Sequence, residues 1–241
     1  MFPIRNAVPS RHVPLVTWVL IAINSVVFLA ELRLDPNQLQ WFLQRFALIP
    51  AQFFGTGGEW PAAHYAAFLT NIFLHASWLH FIVNIWTLWL FGPPVEDRLG
   101  SARFILLYIA GGLIASALHA LSHPGSPVPA LCASGAVATL IGAYLRMFPS
   151  ARLVLAVPLF FFPTISTMPA ALYAALWFGI QLLQGHAALF MPTVASTGVW
   201  WAHVGAFAVG ILLAPILRRS PRDHRPYYAD EGVLGFGPRG S

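Results

Sequence analysis

The chain has 241 residues, of which 58% are hydrophobic and only 9% charged, against the roughly 25% charged residues of an average soluble domain. All 13 basic residues are arginine, and the net charge of +5 is carried mostly between or beyond the apolar runs, a pattern of membrane topology rather than of nucleic-acid binding. A soluble fold is excluded, and the single cysteine, Cys132, excludes an intrachain disulfide.

Residues 13–32 carry no charge before Glu31 and, at about 1.5 Å per residue, match one hydrocarbon thickness. Arginines precede them without a small-residue cleavage pattern, so they are expected to form a first span after a cytoplasmic segment 1–12. Residues 33–64 are apolar but broken by Pro36, Pro50, Gly55, Gly57, Gly58 and Pro61, which suits a partly embedded interfacial loop. Further spans are expected at 66–91, 104–121 and 131–148. The segment 153–184 exceeds one span, but Pro158, Pro163 and Pro169 interrupt its first part, which leaves 168–184 as span 5. Span 6 covers 198–217 and stops before Arg218 and Arg219. The expected fold is an all-α polytopic membrane protein, with a six-transmembrane-helix domain over 13–217. The composition of the cytoplasmic tail, 218–241, predicts disorder.

Six spans leave both termini on one side. Eleven arginines fall on that side, and only Arg33 and Arg45 on the other. The termini are therefore expected in the cytoplasm. With that topology His75, His80 and Asn84 lie in the outer half of span 2, Ser134 near the outer end of span 4, and His203 about 8 Å below the outer start of span 6.

Shared depth makes a site arguable. Ser134 stands between Ala133 and Gly135, small residues that clear its approach for either helix packing or nucleophilic attack. His203 alone could simply bond a neighbouring carbonyl, yet Ala202, Ala206 and Gly210 form a small-residue stripe that would let its helix approach another closely. His80 and Asn84 are one turn apart on a common face, whereas His75 lies about 140° away and goes with Asn71 as a loop or packing anchor. A serine hydroxyl needs a base, and the developing oxyanion needs donors. A neutral His203 imidazole could be the base, with His80, Asn84 and the Ser134 backbone N–H as donors. Aspartyl chemistry fits less well because Asp35, Asp97, Asp223 and Asp230 all fall outside the spans. Zinc proteolysis lacks an H-E-x-x-H motif and a carboxylate beside the histidines. His119 and His123, four apart, read either as a metal pair or as interfacial histidines. No cofactor or metal is expected.

FLHASWLHFIVN at 73–84, VEDRLG at 95–100, ASG around Ser134 and AHVGAFAVG around His203 stand in an order that resembles the rhomboid family of intramembrane serine proteases, over roughly residues 46–217. The resemblance implies a six-helix core, a Ser134/His203 dyad, and His80 and Asn84 at the oxyanion. It also implies that Glu96 and Arg98 brace the turn after span 2, although an ordinary solvated pair would read the same way. Cys132 stands where the family pattern G-x-S-G has its first glycine, and Ala138 where an aromatic residue commonly stacks on the histidine. The implied activity is that of a serine endopeptidase in a bacterial cell membrane, the inner one where there are two. Its implied partners are the lipid bilayer and transmembrane protein substrates, with oligomeric state open and nucleic acid excluded. The loop between spans 5 and 6, with Gly185, Pro192 and Gly198, is the expected lid. Two alternatives stay open: a catalytically inactive rhomboid-like protein that binds membrane clients, and a small transporter, which would need a polar path to both faces.

Overall fold

The computed structural model describes residues 2–8, 10, 12–54, 62–159, 162–190 and 200–219, with side chains at 3–8, 10, 12–54, 64–156, 165–183 and 200–219. The expected lid positions Pro192 and Gly198, and the tail from 220 onward, lie outside the described residues.

Each expected span contains a helix. They are α1 (Leu15–Glu31), α6 (Trp78–Leu99), α7 (Ser101–Ser122), α8 (Ala133–Met147), α9 (Ala170–Phe190) and α10 (Trp200–Leu217). The α7 and α10 helices are long and apolar enough to cross a membrane individually. The segment expected as span 2 is instead broken. Helix α5 (Ala67–Thr70) and a 3-10 turn (Asn71–Phe73) meet α6 at 89°. Leu74 and Ser77 are extended, and the Ser77 hydroxyl accepts from the His80 N–H at 3.2 Å, which starts a new helix at Trp78. His75 therefore sits in the bend and not on α6, so its expected place on a helical face is corrected. At its other end α6 runs through Pro93 and Pro94 to Leu99, beyond the expected stop at 91.

The segment expected as an interfacial loop contains helices. Helix α2 (Pro36–Phe46) begins at Asp35, whose carboxylate accepts from the Asn37 and Gln38 N–H groups while Gln38 accepts from the Asp35 N–H, a complete capping box. Short helices α3 (Ala51–Phe54) and α4 (Ala62–Tyr65) follow.

The chain is mostly helical, and the all-α expectation is amended by one three-stranded antiparallel sheet. Strands β1 (Phe2–Asn6), β2 (Arg152–Leu159) and β3 (Phe162–Pro169) lie in the order β1-β2-β3. The prolines that argued against a helix at 153–169 suit this hairpin: Pro158 and Pro163 face each other near its tip, and Pro169 ends an edge strand, where a missing N–H costs no ladder bond. Strand β1 is tied to α6 by Trp86 Nε1–H donating to the Pro3 carbonyl at 2.7 Å and Asn6 Nδ2–H to the Leu90 carbonyl at 2.6 Å.

What positions the site is the contact of α8 with α10. A Cβ at Gly142 would collide with the Phe207 carbonyl, and one at Gly210 with the Thr139 carbonyl, so the two backbones touch at both levels. Thr139 Oγ1–H donates across the contact to the Ala206 carbonyl at 2.9 Å. Ala138, Ala202 and Ala206 are buried with Ala115 of α7 in one small-residue cluster. Gly135 is needed for the same reason, since a Cβ there would strike the Ala115 methyl.

Glu96 and Arg98 are not a solvated pair. Glu96 is 3% exposed, and its carboxylate accepts from the Val16 and Thr17 N–H groups, the Thr17 hydroxyl and the Ser101 hydroxyl at 2.7–3.0 Å. It thereby caps the N-terminus of α1, whose own Pro14 offers no side-chain cap. Arg98 places its guanidinium 5.2 Å from the Phe148 ring centre. Between α6 and α7, Gly100 has φ +78°, a conformation that favours glycine.

Candidate active site

Ser134 is the second residue of α8, partly exposed, at the end of the helix where backbone N–H groups lack partners one turn back. Its Oγ lies 2.7 Å from His203 Nε2. His203 belongs to the first turn of α10 and is buried. The other ring nitrogen, Nδ1, lies 2.7 Å from Gln181 Oε1 of α9. These two contacts define the tautomer. A hydroxyl that donates to Nε2 requires that nitrogen to be unprotonated, so the neutral ring carries its proton on Nδ1 and donates it to the glutamine oxygen.

His80 and Asn84 share a face of α6. His80 Nδ1 accepts from the Ala76 N–H at 3.3 Å, which leaves the Nε2–H of the neutral ring as a donor. His80 and His119 both lie within electrostatic range of His203. Asn84 is buried, and among the described residues its Nδ2 has no hydrogen-bond partner. A buried, unpartnered amide donor is costly unless something else uses it, which is what an oxyanion site requires.

Asn71 and His75 belong to different networks. Asn71, fully buried, donates from Nδ2 to the Ala67 carbonyl, to the Phe68 carbonyl at 2.9 Å and to Ser116 Oγ at 3.1 Å. Its Oδ1 and its backbone carbonyl both accept from the Cys132 N–H, at 3.2 and 3.1 Å. It therefore holds the residue from which α8 starts, two positions before Ser134. The His75 ring packs among Phe28, Phe81 and His80, and its backbone N–H donates to Glu31 Oε2 at 3.3 Å. Glu31 thus reaches the His75 backbone and not its ring; the carboxylate that stands beside an imidazole is Asp97, whose Oδ1 lies 2.7 Å from His12 Nδ1, away from the candidate site. Glu31 closes α1 and is buried there.

Both departures from the rhomboid pattern have a local account. Cys132 has φ −98° and ψ 23°, which any residue adopts, so no glycine is demanded. Its side chain is buried in a cluster with Leu48, Ala120 and Ala130. Ala138 is fully buried where α7, α8 and α10 meet, with no room for a ring. Trp177 of α9 packs against that cluster and lies 6.1 Å from the His203 ring, and Trp200 approaches it edge-on at 6.3 Å.

His119 is buried and stacks on His123 at 4.8 Å. Among the described residues no group of three or more His, Cys, Asp or Glu side chains is arranged to hold a metal. The residue that the sequence reading missed is Gln181. Its signal was present: a lone amide in the apolar run AALYAALWFGIQLL, and polar groups in such runs are rare without a task.

Comparison with known proteins gives concordant matches. The Rhomboid domain family model matches residues 62–220. The rhomboid-named protein YdcA of Bacillus subtilis is 38% identical over 90 residues, 37% of this chain and 42% of that protein. The rhomboid protease GluP of the same organism is 39% identical over 95 residues, 39% of this chain and 17% of that protein. The mitochondrial presenilin-associated rhomboid-like protein A of Danio rerio is 34% identical over 83 residues, 34% of this chain and 22% of that protein. The chain thus spans less than half the length of the curated relatives it matches.

Proposed function

This chain belongs to the rhomboid family, and from that premise we propose that it is an intramembrane serine endopeptidase that cleaves transmembrane segments of other membrane proteins. The observation that carries the reading is the 2.7 Å contact of Ser134 Oγ with His203 Nε2, made between two helices whose backbones touch. In the proposed reaction Ser134 Oγ bonds to the scissile carbonyl carbon as its proton passes to His203 Nε2. The oxyanion that forms is held by the Ser134 N–H, Asn84 Nδ2–H and His80. Nε2–H then protonates the leaving amine, the C–N bond breaks, and an acyl-enzyme remains. Water then attacks the ester carbon as Nε2 takes its proton, and the C–Oγ bond breaks as Nε2–H returns that proton to Ser134 Oγ, which frees the new carboxyl terminus and restores both residues.

The finer topology is part of the same proposal. Six spans, α1 and α6 to α10, place both termini in the cytoplasm and the Ser134 end of α8 near the outer face of a bacterial cell or inner membrane. A substrate helix approaches laterally and unwinds locally, because a helix keeps its peptide bonds from a nucleophile. The test is cleavage of a reporter transmembrane substrate in reconstituted membranes by wild type and by Ser134→Ala. Cleavage only by wild type is expected, together with fluorophosphonate labelling that needs both Ser134 and His203. Equal cleavage by both proteins would overturn the assignment and leave a client-binding protein.

A further inference from the structure

The geometry points to Gln181 as a positioning residue that orients His203 from α9 and holds the proton on its Nδ1. This rests on the serine-protease reading of Ser134 and His203 and adds a third member to it. Gln181 is 7% exposed in a helix whose neighbouring positions Ile180 and Leu183 are 52% and 71% exposed, so it is on the buried face, turned towards α10. Its Oε1 lies 2.7 Å from His203 Nδ1, across 22 residues of sequence.

The chemistry is specific to an acceptor. For Ser134 to donate to Nε2, the imidazole must present a bare Nε2 and therefore an Nδ1–H. Buried without an acceptor, that N–H would favour the other tautomer, in which Nε2 carries the proton and cannot take one from serine. The Gln181 oxygen removes this penalty and fixes the rotation of the ring about its Cβ–Cγ bond. Any acceptor oxygen at this reach serves, an amide oxygen here or a carboxylate oxygen as in a Ser-His-Asp triad. Trp177, one turn earlier on the same helix, lies 6.1 Å from the same ring. Two side chains of α9 therefore bear on His203, one as acceptor and one as a packing face. The orientation of the base depends on α9 staying docked against α10.

The test separates nucleophile activation from substrate docking. Fluorophosphonate labels an activated serine without needing a transmembrane substrate, and its rate is measured for wild type, Gln181→Met, Gln181→Glu and Ser134→Ala, beside substrate cleavage and thermal unfolding. Gln181→Met keeps the volume and removes the acceptor. It is expected to slow labelling and kcat about tenfold, the worth of one buried hydrogen bond, with KM unchanged. Gln181→Glu keeps an acceptor oxygen at the same reach and is expected to restore labelling to at least about half of wild type, since it re-forms the same bond. Labelling of Gln181→Met at the wild-type rate would overturn the inference. So would an equal loss in Gln181→Met and Gln181→Glu, because the acceptor would then not be what matters. Labelling of Ser134→Ala would instead overturn the protease reading, a different outcome from either.

Discussion

Cys132 and Ala138 are two single-residue departures from the rhomboid pattern, and each is explained by what surrounds it. The backbone at Cys132 is held by the two carbonyl-type oxygens of Asn71, and its negative φ asks nothing of glycine. The thiol fills space against Leu48, Ala120 and Ala130. Cys132→Gly should therefore keep cleavage within about threefold of wild type while costing about 1–2 kcal/mol from lost packing and added chain freedom. A cleavage assay beside a thermal melt checks this. A loss of activity much larger than the loss of stability would mean that the side chain shapes the substrate path. Ala138 is small because three helices converge on it, and the ring that bears on His203 comes from Trp177 instead.

At the scale of elements, the site exists because α8 and α10 can touch. Gly142 and Gly210 let each backbone reach the other, and Thr139 bonds across the gap. Ser134 lies two turns from Gly142 on α8, and His203 one turn from Phe207 on α10. Gly142→Leu would force the Phe207 carbonyl away and with it the turn that carries His203. A displacement of about 1 Å is enough to cost roughly 100-fold in rate. The expected result is a loss of cleavage of at least that size, with fluorophosphonate labelling reduced in parallel. The other helices are fastened by unlike means. Glu96 caps α1 from 79–80 residues away. The 3-10 turn and bend before α6 are held at Asn71, so one buried amide serves both the bend and the start of α8.

At the scale of the whole molecule, the sheet joins the beginning of the chain to the segment between α8 and α9. Strand β1 pairs with β2 and also bonds α6 through Pro3 and Asn6. The pairing holds residues 2–6 on the side where α8 ends and α9 begins, which is the cytoplasmic side in the proposed topology. Reporter fusions should accordingly find both termini cytoplasmic, and impermeant labelling should reach a cysteine placed at Ser126 from outside the cell. One terminus found outside would require an odd number of spans, and both found outside would reverse the depth assigned to Ser134.

The sequence by itself determined which segments carry the six long helices, because the length of an uncharged apolar run is a property of one dimension. It also singled out Ser134 with His203, and His80 with Asn84 one turn apart, and the ordered motifs named the family that the chain belongs to. Part of the fold was not legible. The break before Trp78 is invisible in hydropathy because both arms of the bend are apolar, and it is decided by the Ser77 cap. Prolines excluded a helix at 153–169 but did not say that β2 would find β1 some 150 residues away. Partnership across the bundle was the least legible of all. That Gln181 meets His203, that Glu96 caps α1 and that Glu31 meets His75 are contacts between residues 22 to 80 apart. A buried polar group needs a partner, and its own sequence neighbourhood states the need without saying who meets it. Only the packed helices decide that.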